Sequence, residues 1–513
     1  MVDVTCTIST KNRYETTLPL CLTAIANQTQ KPRELIIFDD GDHKDLRNDP
    51  IYKNIFALFD AGKISWRVVF GERRGQVLNH IKALELAKYP WIWRCDDDDV
   101  AEADVLEKLY SHIADDVGAI GGVIMKPDHA RIERPAFASN KIEDIYLGYN
   151  RQWWRHPKDK DIEIVDHLFS SFLLRKSAAE YCEDFTPSGH REETVLTYEL
   201  TRKGLKCIFD PTAITYQFCV PTGGSSTHNP QFAMNNEKIF SQKMMEWGIK
   251  PSEYSFTAHY HGIGDHFAFK SVLPNYFEKY KGKKHIFFTT YPEIFEDIPN
   301  IVQGSMADGE AVLPNIEKYD EYKFMVSRGW DKHITWAFKE IYKLPGEIVR
   351  GKFGAKDIKK GEGNEIIISP YSQNDMHPKT YPYWNKLIML LKSMNYKLIQ
   401  TGRSGEKALE GVDRYCFDYK FKDLITMVST CKTWLSVDNF FPHMVNTMDI
   451  IVPGIVLFSM SDPKIFGYHY NKNILKSVSN LRTDQFGKWD DVKRIDDSFE
   501  SADNIFSQIQ GFL

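Results

Sequence analysis

The sequence has no apolar run long enough to cross a membrane as a helix. Its most apolar stretch, residues 450–460, is roughly half of the ~18 residues that a spanning helix needs, and Pro453 interrupts it. The opening segment is strand-like and lacks the basic region and small-residue cleavage site of a secretory leader. We therefore expect a cytoplasmic protein with at most peripheral membrane contact.

Closely spaced cysteines are also missing. The eight cysteines are scattered along the chain and include no C-x-x-C pair. This spacing argues against a zinc site or a dithiol redox centre. In a cytoplasmic protein we expect these residues to be reduced thiols.

An excess of positive charge is the third absence. The chain has 65 basic and 70 acidic residues and a net charge of -5, so no global basic field recruits nucleic acid or an anionic membrane. Internal repeats and low-complexity segments are absent as well. The composition is that of a soluble globular protein. A length of 513 residues corresponds to about three domains.

The sequence does contain a regular alternation of strand-like and helix-like segments. This alternation predicts βαβ units and an α/β fold with largely parallel sheets. Two acidic turns, Asp39-Asp40 and Asp96 to Asp99, directly follow apolar strand segments. Ligands of open α/β sheets collect beyond the carboxyl ends of the strands, so both turns are candidate site residues.

Residues 1 to about 228 carry five motifs in a fixed order. The motifs are the strand Val4 to Ser9 leading to Asn12 and Arg13, the turn at Asp39-Asp40, Gly75 with Asn79, the D-x-D pair Asp96 and Asp98, and Arg191-Glu192-Glu193 with Leu196, Arg202 and Gly204. In this order they resemble the family-2 glycosyltransferases, whose fold is called GT-A. The resemblance implies a nucleotide-sugar donor, UDP-linked or carrying another nucleoside diphosphate.

The pyrophosphate of such a donor must be neutralised before it leaves, and a hard divalent cation held by carboxylates does this. The resemblance makes Asp98 a ligand of Mn²⁺ or Mg²⁺ and Asp96 a contact of the ribose or the metal. Asp39, or Asp40 because the register of the pair is ambiguous, would contact the base. Arg13 would contact the nucleotide. His228 is the nearest substitute for the histidine that completes the metal site in similar enzymes.

A general base must take the proton of the acceptor hydroxyl, and Glu193 is the candidate, with inversion as the outcome. The family usually has Glu-Asp at this position, where this chain has Glu192-Glu193. Trp153, Trp154 and Arg155 lie where the acceptor region begins. Each assignment has a plain alternative: a solvated turn and helix cap for the aspartates, an exposed first turn of a helix for the glutamates, a surface position for His228 and core packing for the tryptophans.

Residues from about 256 to 513 resemble, more distantly, the heptosyltransferase-type enzymes of the GT-B fold. The resemblance is carried by His261-Gly-Ile-Gly-Asp265, by Ser369-Pro370-Tyr371 with Lys379 and Pro382, and by Val437-Asp438-Asn439 with Pro442-His443. It implies that Asp265 is the catalytic base and that Lys379, Asp438 and Asn439 contact the donor. Backbone N–H groups would bind the phosphates without a metal. Asn439-Phe440-Phe441 stands where the family has a small Thr-Gly pair, which crowds the approach to phosphate.

These observations predict a GT-A domain over residues 1–230, a helical connector over 231–255, and two Rossmann-type lobes of a GT-B-like unit over 256–350 and 351–513. The Gly- and Lys-rich stretch from Gly346 to Gly363 is the expected linker between the lobes. The predicted function is metal-dependent, inverting transfer of a sugar to a hydroxyl of a glycan or lipopolysaccharide-type precursor, in a bifunctional enzyme if the second half is active. The alternatives are a phage-type DNA glycosyltransferase and a C-terminal half that only binds acceptor or partner.

Overall fold

The computed structural model describes residues 1–127, 138–148, 150–154, 160–220, 223–224, 229–259, 261–299, 301–304, 321–354, 363–489 and 492–513. The chain forms two compact units, Met1–Ser252 and Glu253–Leu513. No helix in these ranges is both long and apolar enough to cross a membrane.

Unit 1 is built on a mixed sheet, nine-stranded over its described residues, in the order β3-β2-β1-β4-β8-β6-β9-β5, with β7 paired to β9. The strands are β1 Val2–Thr10, β2 Pro32–Asp39, β3 Ser65–Phe70, β4 Trp91–Asp96, β5 Asp99–Ala101, β6 Val117–Met125, β7 Glu163–Val165, β8 Phe172–Arg175 and β9 Lys206–Gln217. The first four strands of this order pair in parallel, as the alternating pattern predicts.

Helices cover both faces of this sheet. They are α1 Leu18–Ala26, α2 Pro50–Ala61, α3 Gln76–Leu86, α4 Val105–Tyr110, α5 Glu192–Arg202 and α6 Pro230–Glu246, with 3-10 turns at Leu46–Asn48, Ile142–Leu147, Arg151–Trp153 and Lys176–Ala178. On β2, Leu35 and Ile37 face the larger core, whereas Ile36 and Phe38 face Ala83 of α3. Burial on both faces explains why the central strands are continuous apolar runs.

Helix α6 packs on unit 1. Phe240 and Met244 are buried in one cluster with Val77, Phe185 and Val195. The boundary expected at residue 230 therefore falls at the first residue of a helix that contributes to the core of the N-terminal unit.

Unit 2 contains two parallel sheets, as expected for a pair of Rossmann-type lobes. The first has the order β10-β11-β12, and the second has the order β15-β14-β13-β16-β17-β18, the strand order of the doubly wound Rossmann fold. The strands are β10 Tyr254–His259, β11 Lys284–Thr289, β12 Ile301–Gly304, β13 Glu365–Ser369, β14 Lys397–Gly402, β15 Arg414–Phe417, β16 Thr433–Val437, β17 Ile455–Phe458 and β18 Lys472–Leu475.

The helices of unit 2 connect these strands and join the two lobes. They are α7 Ile263–Lys270, α8 Leu273–Lys279, α9 Glu321–Ser327, α10 Ile334–Ile341, α11 Trp384–Ser393, α12 Phe421–Thr430, α13 Phe440–Asn446, α14 Pro463–Phe466 and α15 Ala502–Ile509, with 3-10 turns at Pro292–Ile294, Val478–Asn480 and Asp496–Ser498. One apolar core includes Phe267 of α7, Trp434 of β16 and Phe441 of α13. The two sheets of this unit therefore share a core.

The packing of α6 predicts a contrast between two adjacent methionines. Met244 is 2% exposed, and Met244→Ala should destabilise the protein by about 2–5 kcal/mol because it removes core contacts and leaves a cavity. Met245 is 73% exposed, and Met245→Ala should change stability by less than about 0.5 kcal/mol. Urea unfolding of the full chain measures both. Equal effects would show that α6 does not pack on unit 1.

Candidate functional site

The acidic turn after β4 lies at the centre of the sheet edge and is largely buried. Asp97, Asp98 and Asp99 are 5–8% exposed, so this is not a solvated turn. The Ser170 hydroxyl donates to Asp96 (2.7 Å), and Ser171 donates to Asp99. Burial raises the pKa of Asp97 to about 7, although neighbouring Arg13 opposes the shift. The turn therefore concentrates carboxylates in a place that water does not screen well.

Strand register places the two predicted acidic turns on either side of one strand end. Ser9 of β1 pairs with Asp96 of β4, and Thr10 pairs with Asp39 of β2. Neighbouring strands lie about 4.8 Å apart, so Asp39 and Asp96 are separated by roughly two strand spacings. Both turns therefore lie at the same carboxyl edge of the sheet.

Arg13, in the loop after β1, neutralises part of this charge. Its Nη1 atom lies 2.8 Å from Asp97 Oδ1 and 2.7 Å from Asp98 Oδ2. Burial raises the pKa of Asp98, the negative charge of Asp96 raises it further, and Arg13 opposes both. An added cation would favour the charged form of Asp98.

The donor set fits a hard divalent metal. Asp96 and Asp98 offer carboxylate oxygens, the ligands that Mg²⁺ and Mn²⁺ prefer. Within the described ranges no group of three or more histidine, cysteine, aspartate or glutamate residues forms a metal-ligand cluster. His228 and Arg155 lie outside the described residues.

Asp39 and Asp40 each keep one oxygen without a hydrogen-bond partner. Asp39 Oδ1 accepts from the Tyr14 hydroxyl (2.7 Å) and the Gly41 N–H (2.9 Å), and its Oδ2 is buried and unpartnered. Asp40 Oδ2 accepts from the Gly75 N–H (2.7 Å), and its Oδ1 is likewise unpartnered. Buried carboxylate oxygens of this kind suit the N–H donors of a bound nucleobase.

The two glutamates at the start of α5 are buried and have different surroundings. Glu192 Oε1 lies 2.5 Å from Nη2 of Arg94, a residue of β4. Glu193 is 6% exposed and has no ion-pair partner among the described residues. Burial raises the pKa of Glu193, Arg94 opposes this, and the charge of Asp96 adds to it. Of the two glutamates, Glu192 is therefore the one that forms an ion pair with the sheet.

Helix α6 holds the segment that leads to these glutamates. Asn236 accepts from the Thr186 N–H (2.9 Å) and donates to the Ser188 hydroxyl (3.0 Å). Glu237 binds His190 at 2.9 Å and Arg191 at 2.8 Å. These contacts span 46 to 50 residues of sequence, so no local pattern could reveal them.

The tryptophan pair lies partly in the interior. Trp154 is 4% exposed, and the Trp153 ring lies edge-on to Phe169 with the ring centres 5.5 Å apart. Core packing accounts for Trp154.

In unit 2 the structure brings together three residues that the sequence singles out. Lys379 Nζ lies 2.7 Å from Asp438 Oδ2. Burial would raise the pKa of Asp438, but Lys379 holds it below its usual value. Asp265 accepts from the Tyr322 hydroxyl (2.9 Å) and the Gly262 N–H (3.0 Å). Burial raises the pKa of Asp265, and the charges that oppose this include Lys379.

Asn439 has a different surrounding from these three residues. Its side-chain oxygen accepts from the Phe441 N–H (2.9 Å), and its Nδ2 donates to Ser369 Oγ and the Tyr371 carbonyl, both at 2.9 Å. The amide therefore caps α13 and ties it to the end of β13. A donor contact for Asn439 stays a prediction.

Two aromatic residues at the candidate site of unit 2 could not be identified from any motif in the sequence. Tyr322 donates to Asp265, and the Trp489 ring lies with its centre 4.9 Å from Lys379 Nζ. Both are distant in sequence from the motifs that they contact, so only the fold brings them there.

Residues 5–180, which lie within unit 1, match the sequence model of glycosyl transferase family 2. No curated protein matches the chain. Three similar solved structures are the iron-containing dodecameric glycosyltransferase TibC of enterotoxigenic E. coli (10% identity, TM-score 0.34), GalNAc-T7 with UDP, GalNAc and Mn²⁺ (14%, 0.32), and E. coli ADP-heptose LPS heptosyltransferase II (11%, 0.34).

The similarity to these structures is partial. The alignments cover 44%, 42% and 50% of this chain and 63%, 43% and 98% of the other chains, respectively. The chain thus spans less than two thirds of the length of the first two. Both resemblances stated from the sequence, to family-2 glycosyltransferases and to heptosyltransferases, are found among the matches.

The buried Lys379–Asp438 pair predicts a stability effect in unit 2. Lys379→Met leaves a buried carboxylate unpaired and should cost about 3–5 kcal/mol. The double variant Lys379→Met/Asp438→Asn should recover most of the loss, because no charge then stays buried. Lys386→Met, which breaks an exposed pair with Asp503, should leave the urea midpoint almost unchanged. Equal shifts of the urea midpoint in Lys379→Met and Lys386→Met would contradict a stabilising Lys379–Asp438 pair.

Proposed function

We propose that this protein is a metal-dependent, inverting glycosyltransferase that moves a sugar from a nucleoside-diphosphate sugar to an acceptor hydroxyl in unit 1. One observation carries the proposal: Arg94, two residues before Asp96 on β4, lies 2.5 Å from Glu192, the residue before Glu193, so a direct contact joins the strand of the D-x-D turn to the helix start that carries Glu193. A leaving-group site and a base site are thus adjacent, as displacement at an anomeric carbon requires.

Donor binding follows from the cleft at the ends of β1, β2 and β4. The free oxygens of Asp39 and Asp40 accept hydrogen bonds from the base, and Asp96 binds the ribose or the metal. Asp98, with Asp96, would hold Mn²⁺ or Mg²⁺, which supplies charge neutralisation for the departing diphosphate. Arg13 adds positive charge at the same carboxylates.

Glu193 acts at the acceptor side. It takes the proton of the acceptor hydroxyl while that oxygen forms a bond to the anomeric carbon and the bond from this carbon to the phosphate oxygen breaks. A single displacement of this kind inverts the anomeric centre. Burial raises the pKa of Glu193, so the carboxylate is a stronger base than an exposed glutamate.

The acceptor that we favour is a glycan or a lipid-linked precursor. A DNA acceptor carrying a hydroxylated base is the second choice, because a net charge of -5 gives no long-range attraction to a polyanionic duplex.

Two substitutions separate the roles of the acidic residues. Asp98→Ala should abolish the Mn²⁺-dependent thermal shift with UDP and other nucleoside diphosphates as well as nucleotide release from donors. Glu193→Gln should keep the thermal shift and lower transfer by roughly 10²–10⁴-fold. Asp104→Ala, at a half-buried position in the same unit, is the control and should behave as the wild type. Full activity of Asp98→Ala would refute the assignment.

A second candidate function is a metal-independent transferase site in unit 2. It is favoured by the convergence of Asp265, Lys379 and Asp438, with Asp265 as base and Lys379 facing the donor phosphates. The competing hypothesis is that this unit only binds acceptor or a partner.

Chelation separates these two hypotheses. In EDTA, nucleotide release that persists should come from unit 2 and should fall by about 10²-fold in Asp265→Asn. Asp331→Asn, a change at an exposed carboxylate of the same unit, should have no effect. If no release resists EDTA with any donor tested, unit 2 is a binding module.

A further inference from the structure

Arg94 occupies an unusual place for a charged residue. It lies in β4, between β1 and β8 of the unit 1 sheet, and is 1% exposed. A buried guanidinium is costly to desolvate unless a carboxylate compensates it. An arginine at this position therefore needs a specific partner.

That partner is Glu192. Arg94 Nη2 lies 2.5 Å from Glu192 Oε1, and this is the ion pair that Arg94 makes among the described residues. His80 lies 4.0 Å from the same carboxylate oxygen, but burial and the charge of Arg94 lower its pKa, so it is neutral. The Phe172 ring, with its centre 5.4 Å from the guanidinium, covers another side. Arg94 and Glu192 thus compensate each other, and the negative charges of Asp96 and Glu193 also act on the guanidinium.

The pair joins the two halves of the proposed reaction centre. Arg94 precedes Asp96 by two residues on the same strand, so the two side chains leave the same face of the sheet. Glu192 directly precedes Glu193 in the first turn of α5. Successive residues of a helix project about 100° apart, so the Glu192 side chain can contact Arg94 while the Glu193 side chain projects in another direction.

The start of α5 needs such an anchor. Arg191, the residue before the helix, has a φ angle of +75°, a left-handed conformation that costs energy in a non-glycine residue. Without Arg94, the buried Glu192 carboxylate would be unpaired, and the first turn would lose the contact that holds it to β4. A shift of about 1 Å at a reacting group can lower the rate by roughly 10²-fold.

We propose that Arg94 is a positioning residue for sugar transfer: by binding Glu192 it fixes the first turn of α5 and thereby holds Glu193 beside the D-x-D turn. The proposal rests on the function proposed for unit 1. Arg94 contacts no donor or acceptor, since it is buried within the sheet. Its loss should therefore lower the rate of transfer and leave donor binding intact.

The test uses the full chain with four variants: Arg94→Met, Arg94→Lys, Glu192→Gln and the double variant Arg94→Met/Glu192→Gln. Arg94→Met should lower kcat by about 30-fold or more, with the KM for the donor and the thermal shift by UDP and Mn²⁺ within about twofold of wild type. Arg94→Lys should recover most of the activity because it restores the charge. The double variant should be no slower than the slower single variant, since both changes break one interaction.

Arg67→Met is the matched control. Arg67 forms another arginine–glutamate pair in the same sheet, 3.3 Å from Glu34, at β3 and β2. Arg67→Met should leave kcat within about twofold of wild type, because the Arg67–Glu34 pair does not contact α5.

Three results would overturn the proposal: an unchanged kcat in Arg94→Met, equal losses in Arg94→Met and Arg67→Met, or multiplicative effects in the double variant. If Arg94→Met does not fold, Arg94→Lys and the double variant, which buries no unpaired charge, decide the question. If wild-type protein shows no Mn²⁺-dependent response to UDP or to another nucleoside diphosphate, the function proposed for unit 1 fails. That outcome is distinct from a failure of the Arg94 assignment alone.

Discussion

The candidate site of unit 1 depends on how the negative charges of four consecutive aspartates at the end of β4 are compensated. Three of them are buried, and burial raises the pKa of Asp97, Asp98 and Asp99. Arg13 supplies positive charge, and two serines donate hydrogen bonds. Burial and the charge of Asp96 still raise the pKa of Asp98, so a cation at this turn would stabilise its carboxylate form.

Largely buried ion pairs hold three of the candidate site segments in place. Arg13 links the loop after β1 to the acidic turn, Arg94 links β4 to α5, and Lys379 binds Asp438 at the end of β16. Such pairs are poor evidence of net stability, because desolvation offsets most of the attraction. Their value here is geometric, since each connects elements that are distant in sequence and restricts a carboxylate to one orientation.

Much of the fold was predictable because it depends on local patterns. The βα alternation predicts the parallel pairing around β1 and in unit 2, and the heptosyltransferase resemblance implies the Rossmann-type lobes. The acidic turns follow apolar strands, so their place at the sheet edge was predictable too. The role of α6 was not predictable from local patterns. This helix was expected to be part of a connector, but it buries Phe240 and holds the segment before Glu192 through Asn236 and Glu237. No periodicity in the sequence predicts these contacts.

The sequence by itself determined the α/β class, the order of the motifs and which residue types stand at strand ends, because these follow from periodicity and spacing. Only the tertiary structure decided which of the two adjacent glutamates forms an ion pair with an arginine of the sheet. Glu192 and Glu193 are chemically identical residues, and their difference arises because Arg94, about 100 residues earlier, forms an ion pair with Glu192 and acts on Glu193 only at longer range. Partners separated by that distance in sequence are fixed by the fold.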